Sequence, residues 1–97
     1  MTYFTDFVYF EGEIGNMDCE AQGGSNVMTK HECESACGEL ERDFNPKQLK
    51  NNKICYLPQN KKCRQTGRPN AKTSLICKKI GSLWQSILLQ TYLKFSY

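Results

Sequence analysis

The chain has hydrophobic patterning near its two ends and polar, turn-rich sequence between them. Near the N-terminus, residues 3–10 are rich in aromatic and β-branched side chains, which is the composition typical of β-strands. The segment ends near Gly12, Gly15 and Asn16, residue types that favour turns. The pattern therefore predicts a strand over residues 3–10.

The second patterned segment lies at the C-terminal end. Its mainly apolar positions recur at steps of three and four residues, the spacing of one face of an α-helix. These positions are Ile80, Leu83, Trp84, Ile87, Leu88, Thr91, Tyr92 and Phe95. Ser82 and Gln85 also have the spacing of a capping box. The segment predicts an amphipathic helix over about 82–95 whose apolar side packs against the rest of the domain.

Capping chemistry predicts a further helix in the middle of the polar region. Thr29 and Glu32 have capping-box spacing, in which the threonine side chain accepts from the Glu32 amide and the glutamate reaches back. Gly38 suits the left-handed position that follows a helix C-terminus. These signals predict a short helix over about 29–38, with Cys33 and Cys37 one turn apart on the same face.

Six cysteines among 97 residues indicate a small chain stabilised by disulfide bonds. Because Cys33 and Cys37 point the same way from one helix, we expect them to bond to different partners. Six cysteines allow 15 pairings, and the sequence alone does not resolve which of them forms. The expected fold class is a small, disulfide-rich α+β protein. Its expected disulfide cysteines are Cys19, Cys33, Cys37, Cys55, Cys63 and Cys77.

Charge is distributed very unevenly along the chain. Residues 1–43 contain ten acidic and two basic side chains, whereas residues 45–97 contain eleven basic side chains and no acidic one. The net charge of +3 hides this division. It is compatible with a solvated surface, with packing of the two halves against each other, or with an acidic partner for the basic half.

Two runs of sequence resemble parts of the Kunitz family of serine protease inhibitors. In residues 26–38 an asparagine and an apolar residue precede a threonine-capped helix with the pattern E-C-x3-C, which resembles the end of a Kunitz domain. In residues 54–64 the pattern C-x-L-P leads to a second cysteine, which resembles the start of such a domain. The end-like run therefore comes before the start-like run.

In one explanation of this order, which we favour, the chain is a slice through a tandem-Kunitz protein. Residues 1–38 are then the C-terminal part of one Kunitz-like domain, and residues 39–54 are a linker. Residues 55–79 are the N-terminal part of a second domain, and residues 80–97 are a helical extension.

In the other explanation, the six cysteines assemble one circularly permuted unit. Kunitz pairing joins the first cysteine to the sixth, the second to the fourth and the third to the fifth. For a permuted unit, the resemblance then implies the bonds Cys37–Cys55, Cys19–Cys63 and Cys33–Cys77.

The resemblance also implies a secreted inhibitor of trypsin-like serine proteases. Arg64 follows Cys63 at the position where the family places the side chain that enters the specificity pocket, and Gln65 comes next. A guanidinium suits the carboxylate at the floor of a trypsin-like pocket. The expected inhibitory loop is thus Cys63, Arg64 and Gln65. Cys55 and Cys63 lie one residue closer together than in the family, which implies an incomplete or vestigial inhibitor.

Two other classes of function stay open. The basic half, residues 45–97, favours binding to heparin or other sulfated glycans, and a toxin on the same scaffold would share the features of an inhibitor. No aromatic residue is interleaved with the bases between Lys61 and Lys79, so we expect no nucleic-acid partner.

Patterns for catalysis, metal binding or a membrane span are weak. His31, Cys33 and Cys37 lack a matching C-x2–4-C pair in the other half, so we expect no metal and no cofactor. No G-x-S-x-G, H-E-x-x-H or phosphate-loop motif occurs, so we expect no enzyme. No apolar run is long enough to span a bilayer. Disulfide bonds imply secretion, although the first residues lack the pattern of a signal peptide.

Overall fold

The computed structural model describes residues 7–59 and 62–81. Within them the chain forms a four-stranded sheet and one α-helix, so the expected small disulfide-rich α+β class is confirmed. The elements in chain order are β1 (Phe7–Glu11), β2 (Ser25–Asn26), α1 (Lys30–Glu39), β3 (Tyr56–Pro58) and β4 (Thr73–Ile80). Two short 3-10 helices lie at Glu20–Gln22 and Pro46–Gln48. The helix predicted over about 82–95 lies outside the described residues.

Strand β4 organises the sheet, because each of the other three strands pairs with it. Strand β1 runs antiparallel to β4, with Phe7 opposite Ile80. Strand β2 lies on the other side of β4 and places Ser25 opposite Lys78, while β3 pairs with the N-terminal part of β4. The N-terminal and C-terminal parts of the described chain therefore share one sheet.

The structure describes parts of both patterned segments. The strand predicted over residues 3–10 is confirmed for residues 7–10 and extends one residue further, to Glu11, while residues 3–6 lie outside the described part. Ile80 ends β4 and does not begin a helical pattern. Its backbone lies in the ladder opposite Phe7, so pairing with β1 decides its conformation.

The predicted helix forms, but only half of its capping box does. Thr29 Oγ1 accepts a hydrogen bond from the Glu32 amide at 3.1 Å, as expected. The Glu32 carboxylate does not reach back to the cap. It accepts from Lys78 Nζ at 2.8 Å and from the Tyr9 hydroxyl at 3.3 Å, which ties α1 to β4 and β1.

The prediction for the end of this helix was wrong. Gly38 lies inside α1, which continues to Glu39, and the left-handed backbone occurs at Glu41, with φ of 57°. The half-buried side chain of Leu40 packs against the core. Continuing the helix past Gly38 brings Leu40 to that position before the chain turns.

Side-chain alternation along β4 divides the core into two layers, since neighbouring residues of a strand point to opposite faces. Ile76 belongs to the larger layer, which contains the buried helix residues Cys33 and Cys37. Cys77 belongs to the smaller layer, where it packs with Cys19 and Leu75. The helix therefore covers one face of β4, and the loop that carries Cys19 covers the other.

The disulfides follow these layers. The observed bonds are Cys19–Cys77 in the smaller layer and Cys33–Cys55 and Cys37–Cys63 in the larger one. All six cysteines are therefore oxidised, and Cys33 and Cys37 have different partners, as predicted.

The pairing implied for a permuted unit, Cys37–Cys55, Cys19–Cys63 and Cys33–Cys77, was wrong. Strand β4 points Cys77 away from α1 and toward Cys19, so Cys77 cannot reach Cys33. When the six cysteines are numbered by their order along the chain, the observed bonds join the first to the sixth, the second to the fourth and the third to the fifth.

The segments expected to be separate are closely connected. Each disulfide joins a cysteine of residues 1–38 to a cysteine of residues 55–79. The segment expected to be a linker, residues 39–54, contains the 3-10 helix Pro46–Gln48 and the buried side chain of Leu49. The assignment of these segments to two Kunitz-like domains stays a prediction. No helix in the described ranges has the length and apolar character needed to cross a bilayer.

Peptide mapping of the non-reduced protein tests the observed bonds. Cleavage after Glu34 separates Cys33 from Cys37, and cleavage after Lys62 separates Cys55 from Cys63. Mass spectrometry should then find the Cys33 peptide bound to the Cys55 peptide and the Cys37 peptide bound to the Cys63 peptide. A Cys33 peptide bound to Cys77 would contradict the two-layer core.

Candidate functional site

The expected inhibitory residues lie in a short segment that is paired with β3. The amide of Arg64 donates to the Tyr56 carbonyl at 2.9 Å, and the Tyr56 amide donates to the Arg64 carbonyl at 3.0 Å. Cys63 is fully buried in its bond to Cys37. The backbone of this segment is thus held in a sheet-like pair.

The side chain of Arg64 is also held by neighbouring groups. Its Nε donates to the Thr66 carbonyl at 3.0 Å, and its Nη2 donates to Thr66 Oγ1 and to Gln48 Oε1, each at 3.2 Å. The side chain is half-buried. These bonds fix its position against the protein, whereas a specificity pocket would need it extended into solvent. The role of Arg64 as a primary contact stays a prediction.

Gln65 has a structural position that sequence reasoning missed. Only 1% of it is exposed, and its side chain joins three backbone segments. Its Oε1 accepts from the Lys50 amide at 3.0 Å, and its Nε2 donates to the carbonyls of Lys53 at 2.8 Å and Met28 at 3.2 Å. A glutamine within a polar, basic run gives no sequence signal of such burial.

These contacts bring together two loops that are rich in bases. We call residues 45–54 and 64–68 the basic loop pair. Besides Gln65, they are joined by Gln48, whose carbonyl accepts from the amides of Gln65 and Thr66 at 2.7 and 3.2 Å. The cations of the pair are Lys47, Lys50, Lys53, Arg64 and Arg68, and all except the half-buried Arg64 are exposed.

Ion pairing among the described residues takes place elsewhere. Lys78 pairs with Glu32, and Arg42 pairs with Glu11, where the hydrogen bond raises the pKa of the Arg42 guanidinium above its ordinary value. Burial, with the nearby Glu32 carboxylate, raises the pKa of the Tyr9 hydroxyl. Cations of the basic loop pair form no ion pair within the described ranges, and neither loop contains an acidic residue.

The structure does not bring His31 together with Cys33 and Cys37, the other two residues considered as metal ligands. His31 is exposed on α1, whereas Cys33 and Cys37 are fully buried and bonded. A different group of sulfurs is close. The Sγ atoms of Cys33, Cys37 and Cys55 all lie within 4.8 Å of one another.

Substitution of Gln65 tests whether it holds the basic loop pair together. Gln65→Met keeps a side chain of similar length but leaves the Lys50 amide and the Lys53 carbonyl without a partner, whereas the Met28 carbonyl keeps its bond from the Asn52 amide. The substitution should lower the free energy of unfolding by about 2–4 kcal/mol. The matched control is the exposed Gln59, where Gln59→Met should change it by less than about 0.5 kcal/mol. Urea unfolding of the oxidised proteins measures both, and equal losses would contradict the cross-linking role.

Comparison of the chain with models of protein families, with curated proteins and with solved structures finds no match in any of the three. A function for this chain therefore has to come from its own residues.

Proposed function

We propose that this chain is a secreted, disulfide-stabilised protein that binds sulfated glycans through the basic loop pair. The observation that carries the proposal is a set of five cations on two cross-linked loops that contain no acidic residue. Two of the bases outside the loops, Lys78 and Arg42, are neutralised by ion pairs, whereas none of the five loop cations forms an ion pair within the described ranges.

The backbone of the loops makes this surface suitable for binding. The buried side chain of Gln65 holds the backbone of Lys50 and Lys53 in place, so little conformational entropy is lost there when an anion binds. Arg64 is oriented by bonds from Nε and Nη2, and Nη1 takes no part in those bonds. That nitrogen is thus a pre-oriented donor for one sulfate oxygen.

The chemistry favours a glycan over a nucleic acid. Proteins that bind single-stranded nucleic acids combine cations with aromatic side chains on which the bases stack. Neither loop of the pair contains an aromatic residue. Tyr56, which borders Arg64, is 3% exposed and donates its hydroxyl to the Thr66 carbonyl at 2.6 Å, so its ring is not available for stacking.

Two substitutions that each remove one charge test the proposal. Lys53→Gln should weaken binding to a heparin oligosaccharide and lower the slope of log K against log salt by about 1, because one fewer counterion is released. The control is Lys79→Gln, because Lys79 is an exposed base on β4, outside the basic loop pair. Its Nζ atom lies 5.6 Å from the centre of the Phe10 ring.

Titration at several salt concentrations should show the change for Lys53→Gln and almost none for Lys79→Gln. Desulfated heparin should bind neither protein. If the two substitutions weaken heparin binding equally, the oligosaccharide is attracted by the net charge of the protein alone. That result would contradict a binding site on the basic loop pair.

Inhibition of a trypsin-like serine protease is the second candidate function. It is supported by the disulfides, which join the first cysteine to the sixth, the second to the fourth and the third to the fifth. This is the pairing order of Kunitz domains, although it differs from the pairing implied for a permuted unit. It requires Arg64 to exchange its three hydrogen bonds for contacts with an enzyme pocket.

An inhibition assay with a matched pair of arginine variants tests this second candidate. If Arg64 enters the pocket, Arg64→Ala should lower affinity for the protease about a thousandfold, because the enzyme's carboxylate is left buried and unpaired. The exposed Arg68 is the control, and Arg68→Ala should have little effect. No inhibition by the oxidised wild-type protein at micromolar concentration would exclude this function.

A further inference from the structure

The larger core layer contains four sulfur atoms from two disulfides that lie side by side. Cys33 and Cys37 come from one face of α1, and their partners Cys55 and Cys63 border β3 and the basic loop pair. Although they belong to different bonds, the Sγ atoms of Cys37 and Cys55 are 4.0 Å apart. All four residues are completely buried.

We propose that, when these two disulfides are reduced, Cys33, Cys37, Cys55 and Cys63 bind one Zn²⁺ ion as a tetrahedral four-thiolate site. Zinc–sulfur bonds of about 2.3 Å place the sulfurs of such a site about 3.8 Å apart. The separation of Cys37 and Cys55 is already close to that value.

The two bonded pairs have to separate, and the sulfur of Cys63 has to approach the cluster formed by the sulfurs of Cys33, Cys37 and Cys55. A disulfide holds its sulfurs about 2 Å apart, so each pair has to open by less than about 2 Å, which is about 1 Å for each sulfur. Rotation of cysteine side chains supplies a movement of this size. The third disulfide is excluded by the fold, since Cys19 and Cys77 lie in the other core layer, on the opposite face of β4.

The change can be written as two balanced steps. A phosphine reductant converts each disulfide and one water molecule into two thiols, and the phosphine becomes its oxide. Four thiols then bind one Zn²⁺ and release four protons, which leaves a complex with a net charge of −2. Because protons are released, affinity for the metal should fall steeply as the pH is lowered.

Cobalt titration of the full-length chain, kept reduced with a phosphine, tests the site. We expect one Co²⁺ per chain, with the sulfur-to-cobalt charge-transfer absorption of a tetrahedral four-thiolate complex, and displacement of Co²⁺ by Zn²⁺. Circular dichroism should show a gain of ordered structure on metal binding, because metal and folding are coupled in such sites.

Two variants distinguish this site from general binding by thiols. The double variant Cys19→Ser with Cys77→Ser should bind Co²⁺ with the wild-type spectrum, because it removes only the thiols of the smaller layer. Cys55→Ser should lose the four-thiolate spectrum and at least about tenfold in affinity. The proposal is overturned if no saturable one-to-one complex forms, or if the double variant loses as much affinity as Cys55→Ser.

Discussion

The alternation of side chains along β4 is the constraint on which the rest of this small protein depends. Ile76 and Cys77 are neighbours in sequence but lie in different core layers. Since the other three described strands all pair with β4, the choice of which residue faces α1 also decides which cysteines can meet. A shift of one residue in the register would exchange the two layers and make the observed disulfides impossible.

The polar part of the molecule depends on a second buried element, the side chain of Gln65. It connects the segment after Cys63 to the 45–54 loop through hydrogen bonds to backbone donors and acceptors. A buried amide that bonds to three backbone groups on two other segments is costly to replace, because the Lys50 amide and the Lys53 carbonyl lose their partner. The five cations of the basic loop pair therefore lie on loops whose backbone is held in place by Gln65, a residue without charge.

Features determined by neighbouring residues could be predicted from the sequence, and features determined by distant contacts could not. The cap at Thr29 and the strand at Phe7–Glu11 depend on local chemistry, and both are confirmed. The extension of α1 past Gly38 depends on the packing of Leu40 against the core, which no local pattern contains. The partners of Cys33 and Cys37 likewise depend on which face of β4 meets the helix. The burial of Gln65 could not be predicted from the sequence either, because its hydrogen-bond partners lie 12 to 37 residues away in the chain.

The covalent topology of the three disulfides has a consequence for a protein exposed to proteases. The Cys19–Cys77 bond spans 58 residues and encloses the other two bonds, which overlap each other. A single cut anywhere between Cys19 and Cys77 therefore leaves the resulting pieces joined by disulfide bonds. The nicked protein would keep its mass, apart from one added water, until it is reduced. Damage in an exposed loop, such as the stretch from Asn45 to Lys53, would thus not release either part of the sheet.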